Sequence, residues 1–190
     1  MSWLRALRRL LADALLRPRG LARAGSGCRV RWPHRLHGRE AIHLGERVRV
    51  DSHAWIEGLR RYGEQAFQPS IEIGDDVAIG RHATITATES IRIGAGSLLS
   101  EGVYISDHGH AVEGRDPRPL VARPLRRPRP VSIGARCFLG FRACVLPGVT
   151  LGDGCVVGAH AVVTRSFPAG SVLAGCPARL LRPARDHDDQ

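Results

Sequence analysis

The chain has 190 residues, a formal charge of +10 and a pI near 10.9, and every one of its 28 basic residues is arginine. That size fits one domain, and the excess charge suits phosphate-bearing partners or an anionic membrane surface. Nucleic acid is not the expected partner, because no zinc finger, RNA-binding motif or interleaved aromatic platform accompanies the charge. The five cysteines, Cys28, Cys137, Cys144, Cys155 and Cys176, are odd in number and lack paired spacing, so they read as reduced side chains of a cytoplasmic protein.

Residues 1–24 form the first unit. Trp3, Leu4, Leu7, Leu10, Leu11, Ala14 and Leu15 recur at helical spacing, while Arg5, Arg8, Arg9 and Arg17 take other faces. This pattern predicts an amphipathic helix, either packed on the domain or a neighbouring subunit, or lying on the anionic inner face of a membrane. Asp13 interrupts the apolar run, which leaves no signal-peptide core and no transmembrane span.

From about residue 25 to residue 175 a period of six governs the chain. Its start is weak, with Leu44-Gly45, Val50-Asp51 and Ile56-Glu57, and the segment LRRYGEQAFQPS (59–70) breaks it and reads as a loop. The period is then regular at Ile73, Ile79, Ile85, Ile93, Leu99 and Ile105, and again at Ile133, Leu139, Val145, Leu151, Val157 and Val163. Six fits neither a helix nor an ordinary strand. It fits an all-β solenoid with three short sides per coil and one aliphatic side chain per side turned to the axis. Two extra residues enter near Glu89-Ser90. The long insertion AVEGRDPRPLVARPLRRPRP (111–130), with six arginines and five prolines, must leave the barrel as a loop. There Arg123, Arg126, Arg127 or Arg129 is placed to meet a phosphate, or the loop is a solvated basic arm. Residues 176–190 read as a C-terminal tail.

The hexads over roughly 40–182 resemble the hexapeptide-repeat acyltransferases, which fold as left-handed parallel β-helices. The stretch PVSIGARCFLGFRACVLPGVTLGDGCVVGAHAVVTRSFPAGSVLAGCPARLLR is similar to the maltose, galactoside and capsular-sugar O-acetyltransferase branch. The left hand comes from that resemblance alone, since general topology favours right-handed crossovers. The resemblance implies acetyl-coenzyme A as acyl donor, no metal, a sugar or glycolipid acceptor, a homotrimer and a role in surface-polysaccharide synthesis. In the motif Ser106-Asp107-His108-Gly109-His110, His110 falls on the family's catalytic base, with His108 as the alternative. An imidazole titrating near neutrality suits the task of taking a hydroxyl proton. Asp107 is expected on the face opposite to His108 and His110. The same resemblance places Phe138, Gly140, Gly158, Ala159, Thr164, Arg165, Arg179 and Arg182 along the coenzyme, the arginines at its phosphates. Gly80 and Thr88 stand where thiogalactoside-type enzymes carry acceptor-binding Asn and Asp, which argues against a small galactoside.

Three other readings fit parts of this pattern: an antibiotic O-acetyltransferase, a γ-type carbonic anhydrase and a non-catalytic scaffold. The anhydrase would need three zinc-binding histidines. His82, His108, His110 and His160 are candidates without its motif.

Overall fold

The computed structural model describes residues 20–114 and 116–182. The helix expected over residues 1–24 therefore lies outside the described residues, save for 20–24. Among the described residues no helix is long and apolar enough to cross a membrane.

Each hexad makes a strand of two to four residues and then a corner. The aliphatic residue of the strand points inward, so Ile73, Ile79, Ile85, Ile93, Leu99 and Ile105 are all buried, as are Ile133, Leu139, Val145, Leu151, Val157 and Val163. Adjacent coils pair in parallel and in step. Ile73 lies beside Ile93, which lies beside Ile133, and Ile79 and Ile85 lie beside Leu99 and Ile105. Stacking like on like turns isolated aliphatic residues into continuous columns, and these columns are the core.

The result is a three-sided parallel β-helix. Its first side carries six strands, from Arg23–Ala24 to Thr150–Leu151. Its second side runs from Arg29–Val30 to Val172–Ala174, and its third from Arg35–His37 to Val162–Val163. The chain turns from the second side to the third through a left-handed corner residue: His53, His82, Gly102, Arg142 and His160, with φ from 53° to 72°. Only glycine takes such angles without steric cost, so the non-glycine corners are held by the coils around them. The expected tail begins differently. Arg179–Arg182 turns back antiparallel on Val172–Ala174, giving the last strand of the second side a hydrogen-bonded partner.

Two excursions leave the solenoid, both at the edge between the third and first sides. The segment read as a loop over 59–70 contains a small antiparallel hairpin, Arg61–Tyr62 with Gln65–Ala66. Strands of two residues have no period to detect, which is why the sequence shows only a gap in the hexads there. Residues 107–130 form the second excursion. It is tied back to the body through a bridge between His110 and Leu125, and Leu125 is buried.

Candidate active site

The edge where the long loop departs is organised by Asp107. Its carboxylate is fully buried and accepts hydrogen bonds from the amides of Thr88, Glu89 and Ser90, at 2.7–3.1 Å, and from the Thr88 hydroxyl at 3.1 Å. Thr88 and Glu89 are the two residues this coil carries beyond the regular eighteen. Their amides have no regular strand above them, because the chain leaves the solenoid at that level, and Asp107 stands in for the missing carbonyls. It takes one further bond, from His108 Nδ1 at 2.9 Å. Burial pushes the Asp107 carboxyl up, but the bonds from His108, from the Thr88 and Glu89 amides and from the Thr88 hydroxyl outweigh it, leaving it below the ordinary carboxylate range. Strand alternation puts Asp107 opposite both histidines, but its carboxylate instead meets His108. Its contact with His108 was not legible, because the chain bends at Asp107 rather than continuing extended.

His108 and His110 have different settings. The His108 side chain is 13% exposed and lies between the Asp107 carboxylate and the Ser106 hydroxyl, 3.4 Å from its Nδ1. His110 is exposed. Its ring meets Tyr62 of the hairpin edge-on, with centroids 5.5 Å apart at 70°, and its Nδ1 is 3.4 Å from the Tyr62 hydroxyl. The hydroxyl itself donates to the Val121 carbonyl at 2.8 Å. Sequence reasoning missed Tyr62, which is 48 residues from His110 and lies in a segment without repeat.

Three of the described loop arginines are engaged within the loop. Arg123 donates to the carbonyls of Arg118 and Asp116, and Arg126 pairs with Glu113. Arg118 forks onto both oxygens of Asp116, and through these hydrogen bonds holds its carboxyl at about 2.

The residues expected along a coenzyme fall into two groups. The first is on the second side. Phe138, Val156, Val172 and Arg182 follow one another in register as a row. Beside it lie Gly140 and Gly158, coil above coil, and then Ala174 with Arg179 opposite it. Both arginines reach the outer face because the last strand is irregular at this point: Leu180 pairs with buried Leu173, and Leu181 is the extra residue. Gly140 also has a packing reason, since a Cβ there would lie 2.7 Å from the Ala159 amide nitrogen. Ala159 is exposed at the next corner. The second group, Thr164 and Arg165, follows the third-side strand Val162–Val163, at the same edge as His110. Both are exposed, and the Arg165 guanidinium lies 5.1 Å from the Phe167 ring centroid. Within one protomer the third side separates the two groups.

Cys28, Cys137 and Cys155 are buried, and burial pushes the Cys137 thiol up to about 11. Cys144 sits on the third side between Tyr104 and Val162, and Cys176 is exposed. Among the described residues no group of three histidine, cysteine or acidic side chains is placed to hold a metal ion.

A family described as the hexapeptide repeat of succinyl-transferase matches residues 70–107 and 130–165. A Mycobacterium tuberculosis chain named as a probable acetyltransferase is 30% identical over 185 residues, which is 94% of this chain and 55% of that one. The Escherichia coli chain WbbJ, whose name assigns it to lipopolysaccharide biosynthesis as an O-acetyl transferase, is 37% identical over 117 residues, 59% of this chain and 60% of that one. The chain thus spans little more than half the length of these relatives. Among solved structures, AntD of Bacillus cereus, an N-acyltransferase captured with dTDP-4-amino-4,6-dideoxyglucose and coenzyme A, superposes with a TM-score of 0.75 at 16% identity, covering 96% of this chain and 90% of that one. This likeness gives the solenoid its hand: it is a left-handed parallel β-helix.

Proposed function

We propose that this chain is a hexapeptide-repeat acyltransferase that transfers an acetyl group from acetyl-coenzyme A to a hydroxyl of a sugar acceptor. Its relatives named as acetyltransferases and the neighbour solved with coenzyme A support that reading. The observation that carries it is the setting of His110. The Tyr62 hydroxyl gives its proton to Val121, so toward His110 its oxygen is left to accept a proton from Nδ1. That contact favours the tautomer with hydrogen on Nδ1 and a bare lone pair on Nε2. A general base needs that lone pair, and exposure at the loop edge lets an acceptor reach it.

The donor supplies an acyl group activated as a thioester. His110 takes the proton of the acceptor hydroxyl as its oxygen bonds to the acyl carbon, and returns it to the departing thiolate as the carbon–sulfur bond breaks. General-base help of this kind contributes about 10²–10⁴-fold. The second-side surface fits the donor's chemistry: Phe138 offers a flat apolar face, and Arg179 and Arg182 are cations suited to phosphate, whereas Gly140 is buried and serves the packing of one coil on the next.

His110 and Thr164 stand on one edge of the prism, and Phe138 and Ala159 lie beyond the third side. A single site therefore joins the two groups most simply across a boundary between protomers, and a homotrimer is the assembly we infer. A cytoplasmic reaction accords with the proposed acetyl-coenzyme A donor. An acceptor in surface-polysaccharide or glycolipid synthesis accords with the name carried by WbbJ. Contact of residues 1–24 with an anionic membrane would bring the protein to a lipid-borne acceptor.

One observation favours His108 as base instead: its Nδ1 is oriented by Asp107 at 2.9 Å. Against this, the Asp107 carboxylate already serves three backbone amides and a hydroxyl, and the His108 ring is mostly covered. The pair of variants His110→Ala and His108→Ala decides. The first should lower kcat at least a hundredfold with little change in the KM for acetyl-coenzyme A. Loss confined to His108→Ala would transfer the role to that residue.

A further inference from the structure

Two of the chain's three tryptophans stand together, away from the candidate active edge. Trp32 is 80% exposed, and Trp55 is exposed on the third side. They border an open cavity of about 590 Å³ at the corner between the second and third sides of the first coils, together with Arg35, His53, His82 and Thr84. Arg35, Trp55, His53 and His82 are held in place. Arg35, Trp55 and Thr84 follow in register along the sheet, the Arg35 guanidinium lies 5.9 Å from the Trp55 ring centroid, and the Trp55 indole donates to Glu57 at 2.9 Å. His53 and His82 stack at 4.8 Å and 14° between planes, both at left-handed backbone angles.

In a chain with nine aromatic residues this concentration is unusual, and none of it packs into the core. Flat apolar rings set among fixed donors match a pyranose, whose C–H face lies on an indole while its rim hydroxyls take hydrogen bonds. The one fixed cation of the cavity is the Arg35 guanidinium, so an acidic substituent on the sugar completes the match. One arginine is too few for a run of nucleic-acid phosphates.

We infer that this corner is a binding platform for an acidic glycan chain. The inference rests on the reading above only in naming the chemistry of the acceptor. The platform lies on the same side of the prism as the strand Tyr104–Ser106 that leads into His110. A chain held here would extend along that side toward the reactive edge.

The test is binding, so it stands whether or not acetyl transfer is observed. With Trp3→Phe as background, the fluorescence of the full chain reports only Trp32 and Trp55. A hyaluronan hexasaccharide should change that emission and bind more tightly than neutral maltohexaose. Trp32→Ala and Arg35→Ala should each weaken it roughly tenfold, about 1.4 kcal/mol, and Trp55→Phe should retain most of it. The inference is overturned if neither glycan changes the emission, or if an octathymidylate binds the corner more tightly than the acidic glycan. It also fails if Trp32→Ala alters the mass of the particle in light scattering and leaves glycan binding untouched, since the corner would then be a contact between copies.

Discussion

Gln65 and Leu125 are paired as adjacent strands would be, although 60 residues separate them: Leu125 N donates to Gln65 Oε1 at 2.6 Å, and Gln65 Nε2 donates to Leu125 O at 3.3 Å. One side-chain amide thus satisfies both backbone groups of the residue that anchors the long loop. The hairpin that carries Gln65 also carries Tyr62, so one short element fixes both the loop and the ring of His110.

Replacing Gln65 by Ala should therefore free the loop rather than unfold the protein. The buried Leu125 amide and carbonyl would each lose a partner, a penalty of about 1–3 kcal/mol per group unless water reaches them. Hydrogen exchange should show the Leu125 amide losing protection while amides in the coils, such as Leu139, keep theirs. Equal loss at both would mean that the hairpin supports the whole solenoid.

Tyr62→Phe keeps the ring contact with His110 and removes the hydroxyl. Acetyl transfer should fall roughly three- to tenfold in kcat, because the tautomer of His110 is no longer held. The KM for acetyl-coenzyme A should hardly move, since Tyr62 acts through the tautomer of His110 and not through contacts with the donor. A matching fall in the thermal midpoint with unchanged kcat would reduce Tyr62 to a loop anchor.

Asp107→Asn sets five donors, three amides, the Thr88 hydroxyl and His108 Nδ1, against a group that is no longer charged and brings N–H donors of its own. A loss of about 2–4 kcal/mol of stability follows. The pH dependence has a definite sign. The folded carboxyl lies below its unfolded value of about 3.9, so its contribution is complete above that value and disappears as pH falls through the lower folded one. The difference in melting temperature between wild type and Asp107→Asn should accordingly be constant from pH 7 to 5 and shrink below pH 4. A difference that grows on acidification would contradict the role given to this carboxylate.

What the sequence made legible is the part built by repetition. The aliphatic columns from Ile73 to Val163 could be read directly, because each residue repeats the environment of the one a coil away. The edge around His110 could not. Asp107 answers two extra residues in the coil beneath, Tyr62 arrives from a hairpin too short to show a period, and Gln65 imitates a strand with its side chain. These contacts depend on how two departures from the repeat meet in space, and the repeat says nothing about that.

The irregularity at Leu181 carries the remaining prediction. In a regular strand, residues three apart face opposite ways, and Arg179 and Arg182 would then lie on different faces. Here the extra residue sets Arg179 opposite Ala174 and Arg182 opposite Val172, so both guanidinium groups leave from the outer face that also carries Phe138. If this face holds the phosphates of the donor, changing both arginines to alanine should raise the KM for acetyl-coenzyme A roughly tenfold with kcat unchanged, because the contacts serve ground and transition states alike. Added salt should weaken the wild type more than the double variant, since exposed ion pairs are screened. Deleting Leu181 tests the geometry separately: it should turn one arginine away and reproduce much of the KM effect with both guanidinium groups still present. An acetyl thioester of pantetheine, which lacks the nucleotide phosphates, should not distinguish the double variant from the wild type. Equal losses with the short and the full donor would show that these arginines support the last strand rather than read phosphate.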